Sequence, residues 1–143
     1  MSFTTSQEKN AVTLKVEAKD YPHAFADGAR GLFHCMYNTD SIHDDERVEF
    51  ALQADDIPSL YHAWLTELLS RADAESMVFG EFSVVSIQKV NAKQYVLMGF
   101  ATGEKRDKSP REQKATITKI RTEKLSCKES GGKSGCSVMI DVQ

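Results

Sequence analysis

The sequence predicts an α+β fold. Two segments of helical period stand in the first half of the 143 residues, and only strand-like segments follow them. Helices confined to one part of a chain, followed by a run of alternating segments, are the pattern of helices packed on a mostly antiparallel or mixed sheet system. Hydrophobic residues make up 41% and charged residues 27%, so a single domain over residues 1–143 can bury a substantial core.

The first strand runs from Val12 to Glu17, where Val12, Leu14 and Val16 alternate with Thr13, Lys15 and Glu17. The period then changes. Phe25, Ala29, Leu32, Phe33 and Met36 share one helical face, and Asp20 ahead of Pro22 marks the start of a helix over about residues 22–37. The polar stretch NTDSIHDDE connects to a second strand, RVEFALQA, in which Val48, Phe50 and Leu52 alternate. A second helix over about residues 56–73 carries Ile57, Leu60, Tyr61, Trp64, Leu65, Leu68 and Leu69 on its apolar face. Asp55 or Asp56 caps it, Pro58 lies in its first turn, and Trp64 belongs to the core. Four further strands are SMVFGEFSVVSIQKV (76–90), QYVLMGFATG (94–103), KATITKIRTEKLSC (114–127) and CSVMIDV (136–142), which makes about six in all.

Several function classes lose support at this level. No apolar run reaches the ~18 residues of a membrane span, and the amino-terminal residues have neither the basic start nor the apolar core of a secretory signal. The chain is therefore expected to be a cytoplasmic monomer with no membrane partner. Three cysteines without a CxxC pair argue against a zinc cluster and a disulfide framework. A sequence pI of about 5.8 lacks the global basic footprint of a nucleic-acid binder, so any RNA association would be local or indirect.

The motifs narrow the field further. GKS within ESGGKSGC lacks the upstream glycine and the following helix of a phosphate loop. A hairpin turn at Gly131 and Gly132 fits better and sets Cys127 opposite Cys136, within disulfide reach, as either a disulfide or, in a reducing compartment, a pair of reduced thiols. His23, His34, His43 and His62 have no metal-ligand spacing, HDDE at 43–46 reads as a solvated acidic turn, and Cys35 lies on or beside a buried helix face. What remains is a basic segment, residues 103–121, with Lys105, Arg106, Lys108, Arg111, Lys114, Lys119 and Arg121, and Asp141 at the end of the last strand.

Taken together, HAFADGARGLFHCMYN, LYHAWLTELL, MVFGEFSV, GEKRD, KATIT and VMIDV resemble the archease family in order and approximate spacing over nearly the whole length. The resemblance implies a small α+β accessory protein, not an enzyme, that promotes guanylate transfer to the GTP-dependent RNA ligase of tRNA splicing and allows its repeated turnover. It implies that Glu104, Lys105 and Lys114 face the ligase or its nucleotide, and that Asp141 helps bind a divalent cation, calcium. Lysines projected from a turn suit a phosphate-transfer site because they neutralise developing charge. Ala11, however, stands where the family carries a second metal-binding aspartate, so cation binding is expected to be weak or absent and Ala11→Asp to strengthen it. Two other readings follow: a divergent interaction module or chaperone-like protein that has lost the metal site and ligase activation, and a metal-dependent hydrolase using Asp141 with Asp107 or Glu112.

Overall fold

The computed structural model describes residues 3–107 and 113–143. Its strands are β1 (Phe3–Glu8), β2 (Ala11–Ala18), β3 (Glu46–Ala54), β4 (Met77–Asn91), β5 (Gln94–Lys105), β6 (Ile117–Ile120), β7 (Ser126–Ser130) and β8 (Lys133–Val142). The helices are α1 (Tyr21–Met36) and α2 (Ile57–Ala74). The strands form two antiparallel sheets. One has the order β1-β2-β8-β6, with β7 also paired to β8; the other has the order β3-β5-β4. Both helices touch strands of both sheets and form a middle layer between them. A helix covered on both sides is apolar nearly all round: α1 buries Ala24, Phe25, Ala26, Gly28, Ala29, Gly31, Leu32, Phe33 and Met36, whereas α2 buries Leu60, Tyr61, Trp64, Leu65, Leu68 and Ala72 and keeps an exposed face with Ser59, Thr66 and Ser70.

Local chemistry sets the boundaries. Asp20 is the N-cap of α1, accepting from the His23 backbone N–H at 2.9 Å, and Asp56 caps α2 by accepting from Ser59 N–H at 2.8 Å. Pro22 and Pro58 occupy the first turns, where a missing N–H costs nothing. Trp64 is fully buried, donates its indole N–H to the Phe25 carbonyl at 3.0 Å and meets Phe50 edge-on at 5.5 Å. The two helices and the second sheet are thereby joined at one side chain. Gly131 and Gly132, at φ +59° and +77°, turn β7 into β8, and Cys127 pairs with Cys136 in register as free thiols.

The six expected strands are eight. β1 shows no apolar alternation because it is an edge strand with five of its six residues exposed. The expected strand over 114–127 is two short ones, β6 and β7, separated by residues 121–125, where Lys124 takes φ +61° and breaks the extended run. The helices pack on two sheet faces rather than on one.

Candidate functional site

The basic segment is put to structural use at the carboxyl ends of both helices. Lys105 is the last residue of β5, paired with Met77 of β4, and is half-buried rather than projecting from a turn. Its Nζ donates to the carbonyl of Glu75, the C-cap of α2, at 2.8 Å and lies 3.8 Å from Oε1 of Glu46. Arg106 donates from Nε to the Met77 carbonyl at 3.3 Å and from a terminal nitrogen to that of Ala72 at 3.2 Å, with Asp73 3.7 Å away. Both cations therefore sit where α2 exposes unsatisfied carbonyls and the negative end of its dipole. Lys114 is exposed, and its backbone N–H donates to the carbonyl of Met36, the last residue of α1, at 2.6 Å. Lys108, Arg111 and Glu112 lie outside the described residues.

Between these helix ends runs a groove of about 480 Å³, lined by Met36, Tyr37, Asp73, Arg106, Gln113 and Thr116 among others. Lys105 adjoins one wall in sequence and Lys114 the other. Glu104 does not share their exposure. It is 2% exposed, paired with Val78 and held within the protein. Gly103 precedes it because a Cβ there would collide with the Val78 carbonyl. Of the three residues expected to face a partner, only the two lysines reach the surface.

Asp141 belongs to a second place, at the end of the first sheet. In the β-ladders Glu8 pairs with Ala11, Ala11 with Asp141, and Asp141 with Lys119, so the four occupy one row across β1, β2, β8 and β6. Glu8, Ala11 and Asp141 of this row line a shallow cavity of about 780 Å³, together with Lys9, Asn10, Thr118 and Arg121. Arg121 donates to one oxygen of Asp141 from Nε at 2.7 Å and from a terminal nitrogen at 2.6 Å. Asp141, by hydrogen bond and then by charge, holds the Arg121 guanidinium above its ordinary pKa, with Glu123 and Glu8 adding to the effect against partial desolvation. β6 serves both places, contributing Ile117 to the groove and Thr118 to the cavity.

The donors do not fit a hard divalent cation. Such an ion takes six or more oxygens, usually with two or more carboxylates. Here the carboxylate of Asp141 already carries a guanidinium, its cross-strand neighbour Ala11 offers a methyl group, the row's other carboxylate, Glu8, stands beyond Ala11 on β1, and no cluster of three or more metal-ligating side chains occurs among the described residues.

Several side chains could not be located from the sequence. In the sequence Arg121 is one charge of a run, and its partner is defined only by the pairing of β6 with β8. Arg106, its guanidinium on the end of α2, was hidden in the same run. On the outer side of α1, Arg30 donates to Asp27 at 2.6 Å and reaches toward Glu81 and the Phe82 carbonyl. Three of the four histidines take structural positions: His23 pairs with Asp20 at 2.6 Å, His34 lies against Phe3, and His62 meets the Ile120 carbonyl at 2.9 Å, while His43 is exposed. Cys35 is half-buried, and burial raises its thiol pKa although Lys114 acts in the other direction.

The two-sheet architecture has counterparts among known proteins. The chain belongs to the archease protein family, whose match covers residues 5–142. Archease of Pyrococcus furiosus is 35% identical over 97 residues, 68% of this chain and 67% of that protein, and archease of Aeropyrum pernix is 25% identical over 119 residues, 83% and 82% of the two chains. The solution structure of protein 1598 of Methanobacterium thermoautotrophicum superposes with a TM-score of 0.86 at 23% identity, covering 98% of both chains. An archease of Thermotoga maritima, described as a possible chaperone, shares the fold at a TM-score of 0.57 and 12% identity over 95% of this chain and 94% of its own.

Proposed function

We propose that this protein is an accessory factor that activates a GTP-dependent RNA ligase, promoting guanylate transfer to the ligase and its turnover in tRNA splicing, without a catalytic site of its own. Family membership over residues 5–142 gives the reading its frame. The observation that carries it to residues is the groove between the helix ends, with Arg106 in one wall, Gln113 in the other, and Lys105 and Lys114 beside them. Cationic side chains beside a groove suit phosphates or the carboxylates that hold a partner's metal. Lys105 would act as a charge anchored against Glu75 and Glu46, and Lys114 as the freely exposed one.

The test is guanylate transfer to a ligase from the same source, with wild-type protein, Lys105→Gln and Lys114→Gln. Lys114→Gln should reduce stimulation with no change in melting temperature, and Lys105→Gln should reduce it with only a small change. Full stimulation by both variants would remove the groove from the function. A second reading, an interaction module or chaperone-like protein on the same scaffold, is favoured by Ala11 and by the Arg121–Asp141 pair, which depart from the expected cation site. Absence of stimulation by the wild-type protein itself would select it.

A further inference from the structure

The geometry points to Arg121 as the resident cation of the sheet corner: its guanidinium occupies the electrostatic position that the family resemblance gives to a divalent ion, and it makes this corner preassembled and indifferent to calcium. Three observations converge on the assignment. First, the position facing Asp141 across the β2–β8 ladder is Ala11, so a metal there would have no carboxylate directly beside that of Asp141, the next in the row being Glu8 on β1. Second, Arg121 reaches Asp141 with two nitrogens at 2.7 and 2.6 Å, a charge-assisted contact of the strong kind. Third, the backbone fixes the guanidinium's origin: Arg121 N–H donates to the Met139 carbonyl at 2.9 Å, two residues before Asp141 on β8. Glu8, in the same cross-strand row, adds negative charge around it. A small, strongly hydrated ion would have to displace an arginine already bound and find its remaining oxygens among Asn10, Thr118 and Glu8.

The assignment changes what a single substitution should do. Reading the sequence alone, Ala11→Asp restores a ligand and should create calcium affinity. With Arg121 in place, the new carboxylate would instead join Asp141 around the guanidinium, since one planar fork with five donors can serve two carboxylates. Calcium should bind only when the carboxylate is restored and the guanidinium removed together. The inference concerns the isolated chain and does not depend on the ligase reading.

The experiment is calcium titration by calorimetry, with melting temperature in calcium and in chelator as a second readout, for wild type, Ala11→Asp, and Ala11→Asp combined with Arg121→Ala. Wild type and Ala11→Asp should show no saturable heat and the same melting temperature in both conditions. The double variant should bind at least about tenfold more tightly than Ala11→Asp and melt higher in calcium, as expected for a ligand that binds only the folded state. Saturable micromolar binding by the wild type would overturn the assignment. So would binding by Ala11→Asp equal to that of the double variant, or no binding by a folded double variant. If Arg121→Ala compromises folding, Arg121→Gln in the same background keeps a hydrogen-bond donor while removing the charge, and the same outcomes decide.

Discussion

In the middle layer Trp64 is sealed against Phe25 and Phe50 with no exposed surface, whereas at the corner of the first sheet Arg121 meets Asp141 with side chains 35% and 27% exposed. Removing a side chain from the layer leaves a void that neighbouring atoms cannot fill. Removing one from the corner leaves charges that water can reach. Chemistry at the corner can therefore change without moving the scaffold, and Ala11 with Arg121 is such a change. This is consistent with a chain that superposes on the Methanobacterium protein at a TM-score of 0.86 with 23% identity while its corner departs from the ligand set the resemblance implied.

The contrast breaks most directly at Trp64. Trp64→Ala should cost about 3–5 kcal/mol, the range for deleting a large buried aromatic, and it also orphans the Phe25 carbonyl from its indole partner. Urea unfolding followed by circular dichroism measures it, and a loss below about 1 kcal/mol would show the layer to be no more demanding than the rim. Gly28→Ala tests the same layer from the opposite direction. The fully buried Tyr61 ring lies against Gly28 so closely that any Cβ would strike the phenol, while that ring is also 4.9 Å from Phe25. The Tyr61 hydroxyl has no hydrogen-bond partner among the described residues, which leaves nothing holding it except packing. Overpacking there should cost about 1–3 kcal/mol, and an unchanged urea midpoint would show that Tyr61 can swing aside.

The layer was also the legible part. Helical period, Asp20 and Asp56 with a proline two positions on, and the Gly-Gly turn each follow from local rules, and the helices at Tyr21–Met36 and Ile57–Ala74 begin and end within a residue of the expected bounds. The rim was not legible because its partners lie far apart in sequence. Asp141 could be named as an acidic strand residue, but its contact with Arg121 depends on β6 returning beside β8 after a bulge between Ile117 and Lys119. Glu104 reads as an exposed turn residue from GEKRD, and only the continuation of β5 to Lys105 places it in the buried part of the ladder. β1 escaped notice because an exposed edge strand has no hydrophobic face to give it a period.

A smaller effect is expected at Asp20, on the boundary between layer and surface. Partial burial raises its pKa, but the His23 backbone N–H, ring and charge together outweigh that and lower it overall. A carboxylate whose pKa is depressed by folding contributes stability at pH values above its unfolded value of roughly 4, and loses that contribution as pH falls through the folded value. Asp20→Ala should cost about 1 kcal/mol at neutral pH through loss of the cap. The difference from wild type should narrow on acidification below about pH 4. Urea midpoints of both proteins at neutral and acidic pH give the comparison, and a difference independent of pH would mean that the charge of Asp20 plays no part in the cap.

The smallest effect should come from Lys105, which sharpens the comparison because it looks well anchored. Its ammonium donates to the Glu75 carbonyl at the end of α2, and its ion pair with Glu46 at 3.8 Å is open to water, with the two side chains 31% and 42% exposed. A cation at a helix carboxyl end contributes about 0.3–1 kcal/mol, and an exposed pair at that separation adds little. Lys105→Gln should therefore lower stability by less than about 1 kcal/mol. The loss should shrink as added salt screens the dipole and the pair, whereas the loss from Trp64→Ala should not depend on screening. Urea midpoints for the two variants at low and high ionic strength separate these behaviours. A salt-independent loss of several kcal/mol at Lys105 would place it with Trp64 as part of the packed interior, and a drop in ligase stimulation in that variant would then report the fold rather than the charge.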